Sequence, residues 1–243
     1  MVPVANCPFC SVSDSLKRID KVCPQLENDR RIYLETSNFL TTIDSHPIVP
    51  ESPYFLIVPK EHYTSFAKLP RRLSGELSKH IKHVRKCVKN SFPESKKHLV
   101  TFEHGQNKHG NKVKSVYHAH WHLIFTDYDA GRILQAALGE LQRLNVDFRL
   151  THKQEINPLS ALISQVRDCD YLYFSANDIK VQAIDNGNNG LYSQFFRVVM
   201  AQACSIPFID WKNASPDELK VFGQRLYSSL PKNIGGGNNA KTN

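Results

Sequence analysis

Three histidines stand at every second position in the stretch SVYHAHWHLIF, residues 115–125. The residues between and around them are mostly apolar or aromatic, which is typical of a buried β-strand. Successive side chains of a strand point to opposite faces, so His118, His120 and His122 are predicted to share one face, with neighbours about 7 Å apart. A row of three imidazoles on an otherwise apolar strand indicates a functional site rather than an accident of composition.

Two kinds of chemistry fit this row of imidazoles. His-x-His on a strand is a good ligand spacing for Zn²⁺, so a metal site that uses the three histidines is one interpretation. The strand itself contains no carboxylate that could act as the base of a metalloenzyme. Alternatively, one histidine attacks phosphorus while its neighbours orient it and neutralise the charge that develops.

The chain is basic, with a formal net charge of +8 and a pI near 9.2. This balance favours anionic partners, which include nucleotides, nucleic acids and acidic proteins. Much of the charge lies in residues 69–98, where apolar positions recur at helical spacing and predict an amphipathic helix with a basic outer face. That face is interpreted either as a solvated surface or as the wall of a nucleic-acid groove.

The composition is that of an ordinary globular protein, with 41% hydrophobic and 22% charged residues. The sequence contains no apolar run of the roughly 20 residues needed to cross a bilayer. Its first ten residues lack the basic and apolar regions of a secretory signal. We therefore expect a cytoplasmic protein with no membrane partner, and a nuclear location is left open.

The pattern of strands and helices predicts an α+β fold, in which an antiparallel sheet is flanked by helices. The predicted strands cover 39–43, 54–58, 98–105 and 116–125, and the predicted helices are the basic segment after Leu69 and residues 129–144. Residues 145–165 have a weaker periodicity and are interpreted as a connector with a short helix.

A second unit is predicted after this connector. It consists of a hairpin over 170–178 and 180–184, a helix over 194–204 and a helix over 215–230 with Ser215 as N-cap and Pro216 at its first position. One interpretation makes Gln194 and Arg197 phosphate contacts. The interpretation we favour gives the helix a role in core and interface, through Phe195, Phe196, Val198, Val199 and Met200. We predict a catalytic domain over residues 1–150, a small α/β C-terminal extension over 151–231 packed on it, and a disordered tail over 232–243.

Cys7 and Cys10 have the C-x-x-C spacing of a metal or redox site. The single cysteines Cys87, Cys169 and Cys204 are expected to be small buried residues in a reduced protein.

Several of these segments together resemble the histidine triad (HIT) superfamily. Residues 115–124 are similar to its His-φ-His-φ-His-φ-φ pattern, in which φ is apolar, and LIVPKEHYTSFAKL (56–69) resembles its Pro-Lys-x-His segment. TIDSHPIVPESPYFLIVPK (42–60) resembles its nucleotide-pocket strand and turn, FEHG (102–105) the strand that enters the catalytic loop, and NCPFC (6–10) its amino-terminal zinc pair. The resemblance covers about residues 6–145.

The resemblance implies a HIT-like sheet and a nucleotidyl hydrolase or transferase that acts on the α-phosphate of a nucleotide conjugate, such as a dinucleoside polyphosphate or a nucleoside phosphoramidate. Carried over to this chain, it makes His120 the nucleophile of a covalent nucleotidyl-histidine intermediate. It implies that His122 bonds the phosphate and that His118 buttresses the strand or ligates a metal. The other implied site residues are His62 near the phosphate, Ser115 at the leaving group or a phosphate oxygen, Asp44 at the ribose, and His104 and Lys60 as substrate contacts.

The same resemblance implies a structural Zn²⁺ on Cys7 and Cys10, with His118 as a third ligand, and no organic cofactor. Zinc-binding members often have a histidine eight residues before the last residue of Pro-Lys-x-His, where this chain has Tyr54. His46 and Cys23 are therefore candidates for the fourth ligand. Two reduced cysteines without a metal are the alternative. A second departure is the segment GNKVK (110–114), which replaces a glycine-rich, glutamine-containing loop and leaves the leaving-group pocket undefined.

Three other functions stay open at this point. One is a HIT enzyme that processes nucleic-acid ends or caps, with the basic helix as its groove. Another is a non-catalytic HIT module that binds a nucleotide or RNA, and the third is a metalloprotein that uses the triad as ligands. The expected partner is a nucleotide substrate, while nucleic acid and a homodimer are left open.

Overall fold

The computed structural model describes residues 7, 9–10, 32–91, 98–105, 118–152, 166, 169–176, 179–185, 191–192 and 194–230. These residues form an α+β fold in which eight strands make one antiparallel sheet and four helices accompany it. The predicted fold class is thereby confirmed. Within these ranges, no helix combines the length and the apolar character that a membrane crossing requires. The predicted tail over 232–243 lies outside the described residues.

Groups of two or three strands are separated by helices along the chain. The strands are β1 (Ile32–Glu35), β2 (Phe39–Ile43), β3 (Tyr54–Pro59), β4 (His98–Gly105), β5 (Trp121–Thr126), β6 (Phe148–His152), β7 (Asp170–Ala176) and β8 (Ile179–Asp185). The helices are α1 (Ser74–Ser91), α2 (Ala130–Arg143), α3 (Phe195–Ala203) and α4 (Pro216–Ser229), with two short 3₁₀ turns at 66–68 and 71–73.

The strand order across the sheet is β1-β2-β3-β5-β4-β7-β8-β6. β4 is an inner strand that pairs with β5 on one side and with β7 on the other. The C-terminal region therefore continues the same sheet. The predicted connector over 145–165 is wrong at its start, since residues 148–152 form β6 by pairing with β8 at the sheet edge.

One face of the sheet is covered by α1, which buries the apolar positions that the sequence predicted. Its buried residues are Leu77, His80, Ile81, Val84 and Val88, and the four apolar ones belong to the core that contains Phe55, Ile57 and Trp121. The lysines and arginines of α1 are all exposed, so the basic outer face of the predicted helix is confirmed.

The opposite face of the sheet packs against α2 and α3. Their core contains Tyr54, Phe102 and Phe174 from the strands and Leu134 and Phe196 from the helices. Local capping agrees with the sequence at α4, where Ser215 forms a capping box with Glu218 and Pro216 begins the helix. A capping box satisfies two backbone donors at once and therefore fixes where the helix starts.

A buried carboxyl group connects β4, β7 and the 3₁₀ turn after β3. Glu103 Oε1 accepts the backbone N–H of Phe66 at 2.8 Å, and its Oε2 accepts the hydroxyl of Tyr171 at 2.5 Å. The Tyr171 oxygen in turn accepts the N–H of Ala67 at 3.2 Å. Gly105 leaves room for this arrangement, because a Cβ there would lie 2.1 Å from Tyr171 Cζ.

We expect Gly105→Ala to destabilise the protein by about 3 kcal/mol, the upper range for overpacking a core. The added methyl group would displace the Tyr171 ring and with it the bond to Glu103. Gly139→Ala is the matched control, because nothing lies within 4 Å of a Cβ at this helical position. Urea denaturation should show the control unchanged or stabilised by up to about 1 kcal/mol. Equal effects of the two substitutions would contradict this account.

A second expectation concerns pH. Burial raises the pKa of Glu103 from 4.5 to about 8, against the bonds from Tyr171 and Phe66 that lower it. The folded carboxyl group therefore keeps a proton that the unfolded chain releases, so its contribution to stability is present below pH 4.5 and is lost as the pH rises through about 8.

Glu103→Gln cannot ionise, so the free energy of unfolding of the wild type should fall relative to that of this variant as the pH rises between these values. Urea denaturation of both proteins across this range measures the difference. A difference that stays constant with pH would show that Glu103 ionises normally in the folded state.

Candidate active site and metal centre

The three histidines of the triad do not all lie in a strand. β5 begins at Trp121, so His118 and His120 precede it and His122 is its second residue. The N–H of Ala119 donates to the carbonyl oxygen of Tyr63 at 2.6 Å instead of joining the ladder. The prediction of a strand over 116–125 is therefore wrong for residues 118–120, and residues 116–117 lie outside the described residues.

His118 is almost completely buried, and both of its ring nitrogens face other protein atoms. Its Nε2 lies 2.7 Å from the carbonyl oxygen of Pro59, at the end of β3. A carbonyl oxygen only accepts, so Nε2 carries the proton and Nδ1 carries the lone pair. Nδ1 faces the two thiols, 3.3 Å from Cys7 Sγ and 3.7 Å from Cys10 Sγ.

His62 completes a group of four candidate metal ligands. Its Nδ1 lies 3.1 Å from Cys10 Sγ, and its ring meets the ring of His118 at a centroid distance of 4.7 Å. One ligand atom from each of Cys7, Cys10, His62 and His118 lies within 4.8 Å of the others. These four residues could hold a metal ion.

The donor chemistry of this group fits zinc. Two cysteines and two histidines form a closed set of four ligands, which is the usual arrangement of structural zinc. The bond from His118 Nε2 to a backbone carbonyl is the kind of outer contact that fixes the tautomer of a ligating histidine. Without a cation, burial raises the pKa of Cys7 to about 11 and lowers the pKa of His118 to about 4, so both groups are neutral.

His46 and Cys23 are the predicted candidates for the fourth ligand. His46 packs against Trp211 and Phe222, and Cys23 lies outside the described residues. The sequence carried a signal for His62, because Tyr54 replaces the usual histidine and some other side chain had to supply the missing ligand. The resemblance instead implies a position near the phosphate for His62.

His120 is held by the backbone of the triad itself. Its Nδ1 lies 2.7 Å from the carbonyl oxygen of His118, which fixes the proton on Nδ1 and leaves the lone pair on Nε2. Phe9, between the two cysteines, contacts the ring at a centroid distance of 5.5 Å. In a neutral ring, the arrangement thus defines the tautomer and leaves Nε2 with the lone pair.

His122 lies beside His120, with ring centroids 4.9 Å apart. Its ring stacks on Phe102 of β4, at a centroid distance of 4.2 Å and an interplanar angle of 16°. The hydroxyl of Tyr54 lies 2.6 Å from its Nδ1, and a carboxylate oxygen of Asp44 lies 3.9 Å from the same atom. Nδ1 therefore faces the protein interior.

Asp44 is buried beneath this cluster and is held from two sides. Its Oδ1 accepts the N–H of His46 at 2.7 Å, and its Oδ2 lies 3.9 Å from Nη1 of Arg197. Arg197 comes from α3, in the C-terminal region. The interpretation of this helix as core and interface does not include this contact, although an arginine among aromatic and aliphatic residues is itself a signal that a buried charge needs a partner.

Lys60 and His104 are two other predicted site residues that the structure describes. Lys60 forms an ion pair with Glu35 of β1 at 2.7 Å. His104 lies two residues beyond Phe102 on β4, opposite Leu172 of β7. Ser115 lies outside the described residues, as does the segment GNKVK that precedes it.

Comparison with known proteins agrees with this geometry. Residues 25–128 match the family model of the HIT domain. No curated protein matches the chain.

Several solved structures resemble the chain. A HIT family hydrolase from Legionella pneumophila is 22% identical, and the match covers 49% of this chain and 90% of that one with a TM-score of 0.33. A DUF4931 family protein from Bacillus cereus is 13% identical over 71% of this chain and 98% of that one, with a TM-score of 0.39. A Zn-bound histidine triad family protein from Mycobacterium smegmatis is 19% identical over 57% of this chain and 96% of that one, with a TM-score of 0.33.

The match over residues 25–128 begins before β1 and ends after β5. It includes the triad, His62 and Asp44, but it leaves out the cysteine pair and Arg197. The chain therefore contains a HIT domain over residues 25–128, and a C-terminal region extends beyond it from α2 to α4.

Proposed function

We propose that this protein is a nucleotidyl hydrolase or transferase that acts on the α-phosphate of a nucleotide conjugate, such as a dinucleoside polyphosphate or a nucleoside phosphoramidate. The observation that supports it most directly is the 2.7 Å contact between His120 Nδ1 and the His118 carbonyl oxygen. This bond leaves the lone pair of a neutral ring on Nε2, and a neutral imidazole nitrogen is a suitable nucleophile for displacement at phosphorus.

The proposed reaction has two displacement steps. His120 Nε2 forms a bond to the α-phosphorus while the bond to the leaving group breaks, and the bonding electron pair departs with that group. In hydrolysis a water molecule then attacks the same phosphorus, loses a proton and breaks the bond to Nε2, which regains its lone pair. In transfer an acceptor hydroxyl or phosphate takes the place of water.

The neighbours of His120 have proposed roles in these steps. His122 stands 4.9 Å from it between ring centroids, where it would donate a hydrogen bond to a non-bridging phosphate oxygen and stabilise the developing charge. Asp44 would contact the ribose. His118 would orient His120 through its carbonyl oxygen, and His62 would serve the metal site instead of the phosphate.

We also propose that Cys7, Cys10, His62 and His118 hold a structural Zn²⁺. The support is the donor set, the proximity of its four ligand atoms and the carbonyl bond that fixes the His118 tautomer. When bound, the ion would keep both thiols ionised and add folding free energy to the amino-terminal segment. Phe9 would then be held against the ring of His120.

The position of the basic helix bears on the alternative of a nucleic-acid substrate. α1 packs on the sheet face that carries Phe55 and Trp121, whereas His122 stacks on Phe102 on the opposite face. A strand of nucleic acid bound along α1 would therefore lie across the sheet from the proposed nucleophile. This arrangement favours a compact nucleotide conjugate over a substrate that runs along the basic surface.

The first test replaces the proposed nucleophile. His120→Ala should lower turnover of adenylylated and guanylylated substrates by at least about 100-fold, because no other group can take over the covalent step. Intact mass spectrometry after a neutral quench should show a nucleotide-sized adduct on the wild type and none on the variant. His83→Ala is the control, because His83 is an exposed histidine on α1.

Turnover without any adduct, and equal activity in both variants, would exclude His120 as the nucleophile. Tight nucleotide binding without turnover of any substrate would favour the non-catalytic binding module.

The second test concerns the metal. Purified protein should contain one Zn²⁺ per chain, and Cys10→Ser should lose it, because a hydroxyl group is a poor substitute for a thiolate ligand. At a free Zn²⁺ concentration 100 times the Kd, bound metal should stabilise the wild type by about 2.7 kcal/mol. Elemental analysis and thermal unfolding with and without a chelator measure both effects.

Cys87→Ser is the matched control for the metal test, since Cys87 is a partly buried free cysteine on α1. It should keep the metal and the response to the chelator. Loss of metal from both variants, or from neither, would contradict the assigned ligands.

A further inference from the structure

The basic outer face of α1 has no part in the site described above. Residues 66–91 contain eight lysines and arginines but a single acidic residue, Glu76. Seven of the basic side chains are exposed, and they are Arg71, Arg72, Lys79, Lys82, Arg85, Lys86 and Lys89. Within the described residues, none of the seven forms an ion pair with a carboxylate. The face is therefore a surface of one sign and not a network of salt bridges.

The single acidic residue of this segment is engaged elsewhere. Glu76 Oε1 accepts the hydroxyl of Thr36 at 2.8 Å and the backbone N–H of Asn38 at 2.9 Å. Its Oε2 accepts the side-chain amide of Asn38 at 2.6 Å. This carboxylate therefore satisfies donors in the turn between β1 and β2, and the lysines of α1 keep their full positive charge.

The spacing of the lysines places them on one side of the helix. Four of them follow one another at intervals of three, four and three residues, namely Lys79, Lys82, Lys86 and Lys89, so that neighbours lie one turn apart. Together with Arg85 they place five charges over about 15 Å, or about one every 4 Å, at the rise of an α-helix. One strand of a nucleic-acid duplex carries a phosphate about every 3.4 Å along the axis. The two charge spacings are closely matched.

The residue types on α1 indicate which polyanion fits it. Lysine offers a point charge on a flexible stem, and contacts of this kind to phosphates carry no sequence information. α1 contains no Phe, Tyr or Trp, on which the unpaired bases of a single strand would stack. Its apolar residues are buried against the sheet, so the helix has no apolar face to insert into a lipid surface. A duplex, whose bases are already stacked, needs neither feature.

We propose that the outer face of α1 is a docking surface for a nucleic-acid duplex, which it holds by the phosphate backbone without regard to base sequence. α1 covers the sheet face that carries Phe55 and Trp121, whereas His122 stacks on Phe102 on the opposite face. A docked duplex would therefore leave the candidate active site open. The docking surface goes beyond the proposed function and does not depend on it.

Fluorescence anisotropy of labelled DNA and RNA duplexes of about 20 base pairs, two helical turns, measures the binding. Log Kd should rise with log salt with a slope of about 4.5, the value for five phosphate contacts. Lys82→Glu combined with Lys86→Glu should raise Kd at least about 10-fold and lower the slope by about 2, because two contacts are lost. Lys82→Arg with Lys86→Arg should bind like the wild type.

The control is Arg132→Glu combined with Arg149→Glu. It makes the same change in net charge at exposed residues of α2 and β6. Its Kd should change less than about 3-fold, because screening limits the effect of charges that lie away from the contact. Equal losses in the two Glu pairs would show that net charge alone attracts the duplex, and would overturn the proposal.

Three other results would also overturn it. They are the absence of binding to both duplexes, a clear preference between AT-rich and GC-rich duplexes, and tighter binding to phosphatidylserine-containing vesicles than to either duplex. The turnover assay separates this proposal from the proposed function. A wild type that binds the duplex but turns over no nucleotide conjugate would refute the proposed function alone, whereas turnover without duplex binding would refute only the docking surface.

Discussion

The bond from His118 Nε2 to the carbonyl oxygen of Pro59 organises the site, because three other features depend on the ring it fixes. It joins the end of β3 to the residues before β5. It turns Nδ1 towards Cys7 and Cys10, which makes the metal centre available. The backbone carbonyl of the same residue orients His120, so a side chain with a structural role also sets the position of the proposed nucleophile.

Alternating histidines suggest either a metal site or a nucleophile for phosphorus, and this arrangement leaves room for both. In a regular strand, His118, His120 and His122 would have shared one face, and a single site would have had to use them all. Because the strand begins only at Trp121, the first histidine instead joins the cysteines, and the other two remain together with ring centroids 4.9 Å apart. Residues 118–122 can therefore supply both a ligand to the candidate metal centre and the proposed nucleophile.

Local patterns predicted well what local physics determines. β4 has the predicted bounds, α2 lies within the predicted helix, and Ser215 caps α4. The contacts that the sequence did not predict are tertiary: His62 meets a cysteine 52 residues away, and Arg197 meets the His46 carbonyl 151 residues away. Periodicity describes which side of an element is apolar, but it does not identify the partner of a buried polar group. Periodicity also predicted a strand over residues 118–120, which is wrong because the Ala119 N–H donates to the Tyr63 carbonyl oxygen and not to a neighbouring strand.

The predicted catalytic domain over residues 1–150 and the C-terminal extension share one sheet. β4 pairs with β7 along Val100 to Gly105, and removing the C-terminal region would expose these backbone groups at a new sheet edge. The same removal would take away Arg197 and leave the buried carboxylate of Asp44 without the positive charge that lies 3.9 Å from it. An uncompensated buried carboxylate would take up a proton or draw water into the site. Because Asp44 and Tyr54 both contact His122, the smallest unit expected to keep the proposed chemistry includes β7 and α3 as well as the HIT domain.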